Sequence, residues 1–371
     1  MRYVFPLISL LTFVSFDVRA DYGDWALRDM YRGARSTGMG GAHIAIADDE
    51  EALFLNPAGL AAVDRAQIHY LDAFVEGSVD AYAAYTKSSS AFSSFSASSL
   101  NELMGKNIYG RAQITPTYVM QGFGFALLLD GQVALLEKNQ ALPQITLGYQ
   151  MTNGFQAGMA FNLLGNAKRP RRSKIAQPEL RVGMAGKFLW RRGGYRIMPT
   201  GTLFQLSRGP SLITGIMGNY HYGIGMDLGT QYSMPIGPQV TFSVGAAFLD
   251  VGDTNFGDDS PGPQTQMGNF GIGTAIRYDT GSVAQFTFAY DHRNIFNDTD
   301  WRLRNHFGLE IDFVNMSIYG GYNGVYLTYG FGFNAWLLRI TANSYAEELG
   351  AIAHQDGNRR YQLRLDLKFT L

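Results

Sequence analysis

The sequence predicts an all-β chain, a transmembrane antiparallel β-barrel of about 14 strands, and three observations carry that expectation. Long segments alternate apolar and polar residues with a period of two, the N-terminus has the form of a secretion signal, and the composition suits a wall immersed in lipid. The alternation is clearest at the C-terminus. Tyr361, Leu363, Leu365, Leu367, Phe369 and Leu371 fall on one face, and Gln362, Arg364, Asp366, Lys368 and Thr370 on the other. Successive strand side chains point to opposite faces, so this strand is apolar on one side and polar on the other.

The N-terminus decides the compartment. Met1-Arg2 is a short basic start, Val4 to Val14 is an almost unbroken apolar run, and Val18-Arg19-Ala20 places small residues where a signal peptidase reads. Residues 1–20 are therefore expected to be a signal peptide cut near Ala20. The run is too short for a stable spanning helix. The 371 residues are 46% hydrophobic and 16% charged, with 44 Gly, 25 Phe, 21 Tyr and no Cys. An ordinary soluble domain is about 25% charged. No later stretch approaches the roughly 20 apolar residues of a spanning helix. A net charge of −1 gives no reason to expect nucleic acid as a partner.

The same rhythm recurs at 305–313, 240–248, 272–279, 325–333 and 224–232, in runs of about 10 residues, the length a tilted strand needs to cross hydrocarbon. A soluble sandwich also alternates with period two. Export, Tyr and Phe near strand ends, and connections that alternate in length count against it. Long polar links are expected near 164–178, 208–222, 250–268, 292–303 and 344–359. Tight turns are expected at Asn153-Gly154, Arg192 to Gly194, Pro235 to Pro238 and Thr280-Gly281. Short turns mark the periplasmic end and long loops the external end. Two short links, at Asn323-Gly324 and near Asn139-Gln140, fall on the external side. Earlier strands are expected at Gln67–Val75, Ser78–Thr86, Ala112–Leu129 and Gln132–Glu137, the last pair joined by the hairpin dipeptide Asp130-Gly131. That set makes the total odd, so one assignment is wrong, and 12 or 16 strands stay open beside 14. Lys87 to Asn107 reads as a Ser-rich loop ending in one or two helical turns.

Residues 33–61 stand apart. Glycines at 38, 40 and 41 allow close backbone approach. Asp48 and Asp49 are placed to cap a short helix through Ala52 and Leu55, which Pro57 and Gly59 should end. Gly-Met-Gly-Gly-Ala at 38–42, Ala-Asp-Asp at 47–49 and Asn-Pro-Ala-Gly-Leu at 56–60 resemble the N-terminal signature of the FadL-like outer-membrane superfamily. That superfamily includes long-chain fatty acid and aromatic hydrocarbon transporters and the PorV-like proteins of type IX secretion. The resemblance covers about 30 residues. It implies a 14-stranded barrel (64–371) with residues 21–63 folded into the lumen as a hatch. Gly40, Gly41, Asp48, Asp49, Asn56, Pro57, Ala58 and Gly59 would be its gating residues. In the transporters, solute leaves sideways through a gap made by a kinked strand. Pro116 and Gly122–Gly124 are the candidates for such a kink here.

Other constellations carry less. The six histidines, His43, His69, His221, His292, His306 and His354, show no metal-ligand spacing. His306, Glu310 and Asp312 share a polar face and are expected to pair with facing arginines such as Arg277 or Arg364. No Gly-x-Ser-x-Gly elbow suggests an esterase, and no enzyme or cofactor is expected. Lys168 to Lys174 is the strongest charge run, placed in an external loop where lipopolysaccharide phosphates would attract it, or else simply a solvated loop. Asp253, Asn255, Asp258 and Asp259 read as a polar loop rather than a calcium site.

The expected place is the outer membrane of a Gram-negative cell, crossed many times, with lipid and lipopolysaccharide around the wall. The leading functional expectation is passage of small hydrophobic molecules through a hatch-gated lumen. Its rival is a PorV-like docking or scaffold protein for secreted cargo or an outer-membrane complex, which transports nothing. The first would bind a hydrophobic small molecule, the second a secreted or outer-membrane protein.

Overall fold

The computed structural model describes residues 27, 29–87, 105–137, 144–165, 177–199, 218–257, 262–281 and 283–371. The signal peptide, the Lys168 to Lys174 run and Asp258-Asp259 lie outside them. Two short helices, α1 (Ala34–Gly38) and α2 (Ala52–Leu55), precede the wall, and a third, α3 (Val79–Lys87), follows its first strand. The strands are β1 (Gln67–Ser78), β2 (Asn107–Ile114), β3 (Thr117–Met120), β4 (Phe123–Glu137), β5 (Gln144–Leu164), β6 (Glu179–Pro199), β7 (His221–Pro235) and β8 (Val240–Leu249). They continue as β9 (Asn269–Asp279), β10 (Ala284–His292), β11 (Asn305–Phe313), β12 (Met316–Asn323), β13 (Tyr326–Ala335), β14 (Leu338–Glu348) and β15 (Gly357–Thr370).

The pairing is antiparallel between sequence neighbours, and β15 closes on β1 with Gln67 opposite Thr370 and Ser78 opposite Arg360. β2 and β3 both lie between β1 and β4, so fifteen strands fill 14 positions of one closed sheet. Closure gives every wall amide a neighbour, which a sheet in hydrocarbon requires.

The wall is inside out compared with a soluble fold. Along β7, Tyr222, Ile224, Met226 and Leu228 are exposed while Gly223, Gly225 and Asp227 are buried. Along β15, Leu363 is 46% exposed and its neighbour Arg364 only 3%. Apolar residues face outward and charged ones inward, the arrangement of a barrel surrounded by lipid. Among the described residues no helix is long and apolar enough to cross a membrane.

Several expected boundaries are corrected. Asn153-Gly154 and Arg192 to Gly194 are not turns. They sit within β5 and β6, whose ladder runs unbroken through Asn153 opposite Trp190 and Gly193 opposite Gln150. Gly193 is needed there for close approach, because a Cβ would lie 2.1 Å from the Tyr149 carbonyl oxygen. Asp130-Gly131 is likewise inside β4, and the hairpin turn is at Gln121-Gly122, where Gly122 has φ 78°. Ser78–Thr86 is not a strand. The Ser78 Oγ accepts from the Ala81 amide at 3.1 Å and starts α3, which removes the surplus strand from the count.

Losing the two false turns moves one link to the other end. The short turns 121–122, 236–239, 280–283, 314–315 and 336–337 lie at the end that holds the start of β1 and the C-terminal residues of β15. Link 165–178 joins β5 to β6 at that same end, not at the end with links 200–220, 250–268, 293–304 and 349–356. This contradicts the expected external placement of the link near 164–178. The short links after Asn323 and around 139–140 do fall on the long-link end.

Candidate functional site

The N-terminal segment from Asp29 to Val63 is held by inward side chains from strands around the whole wall. Thr328 of β13 donates to the Gly38 carbonyl at 3.2 Å, and Asn343 of β14 to that of Ala34 at 2.8 Å. Asp291 of β10 accepts from the amides of His43 and Ile44 at 2.7 and 2.9 Å. Gln231 of β7 donates to the Ile44 and Ala47 carbonyls, Gln156 of β5 to that of Leu53, and Arg111 of β2 to that of Met30. A segment bonded to strands on every side occupies the lumen. Its own apolar side chains, Leu53, Phe54 and Leu60, pack against Val119, Leu128 and Leu189 of the wall.

Wall glycines make that close packing possible. A Cβ on Gly183 would stand 2.4 Å from the backbone carbon of Pro57, and one on Gly308 2.6 Å from the Met39 carbonyl oxygen. In the segment, Gly40 has φ 65° and Gly41 φ 87°, and a Cβ on Gly40 would meet the backbone oxygens of Phe307 and Tyr322 at 2.6 Å. Only glycine fits that conformation against that wall.

Charge sets the rest of the geometry. Arg35 is the hub: its guanidinium donates to Glu310 of β11 at 2.7 and 3.0 Å, to Asp48 at 2.8 Å and to Asp49 at 2.9 Å. Asp48 also pairs with Arg277 at 2.8 Å. Glu51 accepts from Arg364 at 3.2 Å and from the amides of Arg35 and Ser36, while Arg364 also grips Asp72. Glu50 pairs with Arg339 at 2.9 Å. Burial alone would raise the Glu50 carboxyl, but Arg339 and its other cationic neighbours hold it well below the usual carboxylate range.

The capping expected of these residues is revised. Asp48 and Asp49 do not cap α2 with their side chains; the cap residue is Glu51, and both aspartates serve Arg35, with Asp49 Oδ1 also accepting the Glu51 amide at 3.1 Å. α2 ends at Leu55, with Asn56 extended just before Pro57 as expected, and a separate 3₁₀ turn, Pro57–Ala62, then begins, whose start Asn56 caps by accepting from Ala58 N at 3.2 Å. Asn56 Nδ2 donates to the carbonyls of Ile44 at 2.8 Å and Thr230 at 3.2 Å, and Gly59 lies so near Ala47 that a Cβ would be 2.4 Å from its oxygen. Ala58 is fully buried beside them. The three motif pieces thus meet in one compact knot. Glu310 faces inward as expected, but its cation comes from the segment and not from Arg277 or Arg364.

Sequence reasoning missed Arg35, Glu51 and Asp72, and it missed the Lys187 bridge to Asp227 and Asp250 at 2.8 and 2.9 Å. The available signal was charge matching: unpaired charges on inward strand positions require opposite charges in whatever fills the lumen. Glu50, His69 and Asp366 come close enough to resemble a metal trio. His69 Nδ1 bonds Asp366 at 2.9 Å and Arg339 already neutralises Glu50, so the trio is accounted for by ion pairing.

The wall is irregular at one place. Toward β4 the β2–β3 position continues unbroken, with Leu127 N donating to the Pro116 carbonyl at 3.0 Å. Toward β1 Thr115 N still donates to the Asp72 carbonyl at 2.7 Å, but the register changes between Ile114, opposite Ala73, and Thr117, opposite His69, beside the shift between His69 and Leu71 in the β1–β15 pairing. Pro116 marks this change of register; Gly122 is a hairpin turn. Above the segment, at the long-link end, lies a cavity of about 190 Å³ lined by both apolar and charged residues, among them Arg32, His43, Phe54, Met267, Arg293 and His306.

No family model and no curated protein matches the sequence. Solved structures do resemble the fold. A deltaS2S3 mutant of the TodX monoaromatic hydrocarbon channel matches with a TM-score of 0.50 at 10% identity, over 91% of this chain and 98% of that one. The Ralstonia pickettii toluene transporter TbuX has a TM-score of 0.47 at 12% identity, over 92% and 99%. A Pseudomonas aeruginosa FadL homologue has 0.35 at 10% identity, over 92% and 99%. At such identities the likeness is one of fold.

Proposed function

We propose that this FadL-like barrel sits in the outer membrane and passes small hydrophobic molecules across it, with the segment up to Val63 acting as a hatch. The observation that carries the reading is the filled lumen. A barrel of this size would otherwise be an aqueous channel, yet the segment bonds to strands all round the wall, and a cavity of about 190 Å³ lies at the long-link end. The solute class is taken over from the TodX neighbour, a monoaromatic hydrocarbon channel. Solute would be captured at the long-link end and pass when the knot of Asn56, Pro57, Ala58 and Gly59 moves off Ile44 to Ala47. Gly40 and Gly41 give the backbone its close fit to the wall, Asp48 and Asp49 hold Arg35 within the segment, and Asp48 ties it to Arg277 of the wall. Asn56→Ala and a variant lacking residues 27–63 test this. Hydrocarbon uptake should change in both; unaltered uptake in both would remove the hatch mechanism.

A second reading, a docking barrel that transports nothing, draws on the long-link end itself. Phe296, Trp301 and Ile352 are exposed there, outside the wall. A stoichiometric protein partner retained through extraction in mild detergent, with no bound small molecule, would favour it.

A further inference from the structure

The cavity at the long-link end is not a uniformly apolar pocket, and one corner of it is chemically unfinished. Gly41, Arg293 and His306 meet there: a Cβ on Gly41 would lie 2.9 Å from His306 Nδ1 and 3.2 Å from Arg293 Nη1. His306 is only 6% exposed, and its Nδ1 is 2.9 Å from the Gly40 carbonyl oxygen. A carbonyl can only accept, so Nδ1 carries the proton, and in the neutral ring Nε2 is left as a lone-pair acceptor. That Nε2 is buried without a hydrogen-bond partner, as is the Oδ1 of Asp291 on the neighbouring strand. Buried polar atoms are normally paired, so two orphaned acceptors at one cavity call for a donor. Arg293 supplies the opposite need. Among the described residues its guanidinium makes no hydrogen bond or ion pair, while the other cations lining the cavity, Arg32 and Lys187, are bound to carboxylates.

We propose that this corner recognises a hydroxyl group, and that its ligand is a small, neutral, hydroxylated aromatic molecule. A hydroxyl both accepts and donates, so it can take an N–H from Arg293 and give its proton to His306 Nε2. A carboxylate would satisfy Arg293 alone and set its charge against the His306 lone pair and Asp291. A plain hydrocarbon would leave all three groups unpaired, and a site built to bond a hydroxyl discriminates strongly against the analogue lacking one. Ile44, Met267 and Leu303 line the same cavity, and about 190 Å³ suffices for one ring. The inference deepens the transport reading by naming a solute class, but binding is measured without transport, so the two can fail separately.

The test is calorimetric titration of the full chain in detergent with phenol, toluene and benzoate. Phenol should bind more tightly than either of the others. Arg293→Gln, at a side chain that bonds nothing in the structure, should weaken phenol at least tenfold and leave toluene unchanged. His306→Asn keeps a donor for the Gly40 carbonyl but removes the Nε2 acceptor, and it should do the same. Phenol binding that is equal to toluene, or indifferent to both substitutions, overturns the proposal. Benzoate binding more tightly than phenol overturns it too, in favour of an anion site. If phenol binds as expected but no solute crosses a membrane bearing the protein, the recognition site stands and the transport reading falls.

Discussion

Arg35 of the luminal segment and Glu310 of β11 form a two-pronged pair, Nε to Oε1 at 3.0 Å and Nη2 to Oε2 at 2.7 Å, with both side chains buried. They are 275 positions apart in sequence, and the pair joins the segment to the wall. Removing one member of a buried pair costs about 3–5 kcal/mol, because the other charge is left without compensation. Arg35→Met removes the cation shared by Glu310, Asp48 and Asp49, of which Asp48 keeps its pair with Arg277. Its expected effect is a looser segment, read as ion conductance in planar bilayers above that of the unaltered chain. Conductance that stays at the unaltered level would mean that the pair does not hold the lumen closed.

Asn56 acts through neutral hydrogen bonds. Asn56→Ala deletes a donor to the Ile44 and Thr230 carbonyls and the acceptor for Ala58 N; Gln231 still serves Ile44, and each buried group left unpaired costs about 1–3 kcal/mol. Hydrogen exchange should rise across residues 44–63 and remain slow in the wall strands. Equal acceleration in both would show that the segment and the wall open as one unit.

Two glycines on β6 make a controlled comparison. Gly183→Ala drives a methyl group against the Pro57 backbone, whereas at Gly186 nothing lies within 4 Å. The first should cost about 1–3 kcal/mol by overpacking, and the second should stay within about 0.5 kcal/mol of neutral. The denaturation midpoint of the folded barrel in detergent checks both, and similar shifts would place the segment elsewhere.

Sidedness follows from the connections. The sequence contains no cysteine, so single cysteines can be placed cleanly. Trp301 is 70% exposed at the long-link end and Trp336 is 92% exposed in a short turn. A membrane-impermeant maleimide added to intact cells should label Trp301→Cys and spare Trp336→Cys. The reverse pattern would invert the barrel and put link 165–178 outside.

The long-link end should be insensitive to mild acid. Asp300 accepts from the Arg302 side chain, from Ala353 N at 3.0 Å and from Arg302 N at 3.0 Å, and these bonds hold its carboxyl well below the usual range. A depressed carboxylate contributes stability that is present above its unfolded value, near 4, and is lost as pH falls through the lower folded value. Exchange of the Arg302 and Ala353 amides should therefore be unaffected by protonation of Asp300 between pH 8 and 5, after correction for intrinsic rates. Asp300→Asn should speed both at any pH. A loosening centred near pH 6 would assign the link to another group.

Most of the wall was legible because its rule is local. Alternation in β7, β9, β11, β13 and β15 is visible residue by residue, and the inward face carries the polar partners as expected. The errors came where a local signal has two meanings. Asn153-Gly154 and Asp130-Gly131 read as turns, but both lie inside paired strands, where Gly154 answers to the close Phe188 backbone and Asp130 to a buried Arg111. Ser78 begins a helix that continues the alternation by accident of its tyrosines and alanines. The site was legible as a motif but not as a mechanism: the motif singles out Asp48 and Asp49, yet their partner Arg35 is set by how the segment folds back, which no spacing reveals.

The most direct test of the central claim is entry of toluene, and of a sugar of similar size, into Gram-negative cells with and without this chain in the outer membrane. Selective passage predicts faster toluene entry in cells carrying the chain and unchanged sugar entry. Equal acceleration of both would make the lumen an open aqueous pore, and acceleration of neither would leave the barrel without a transport role.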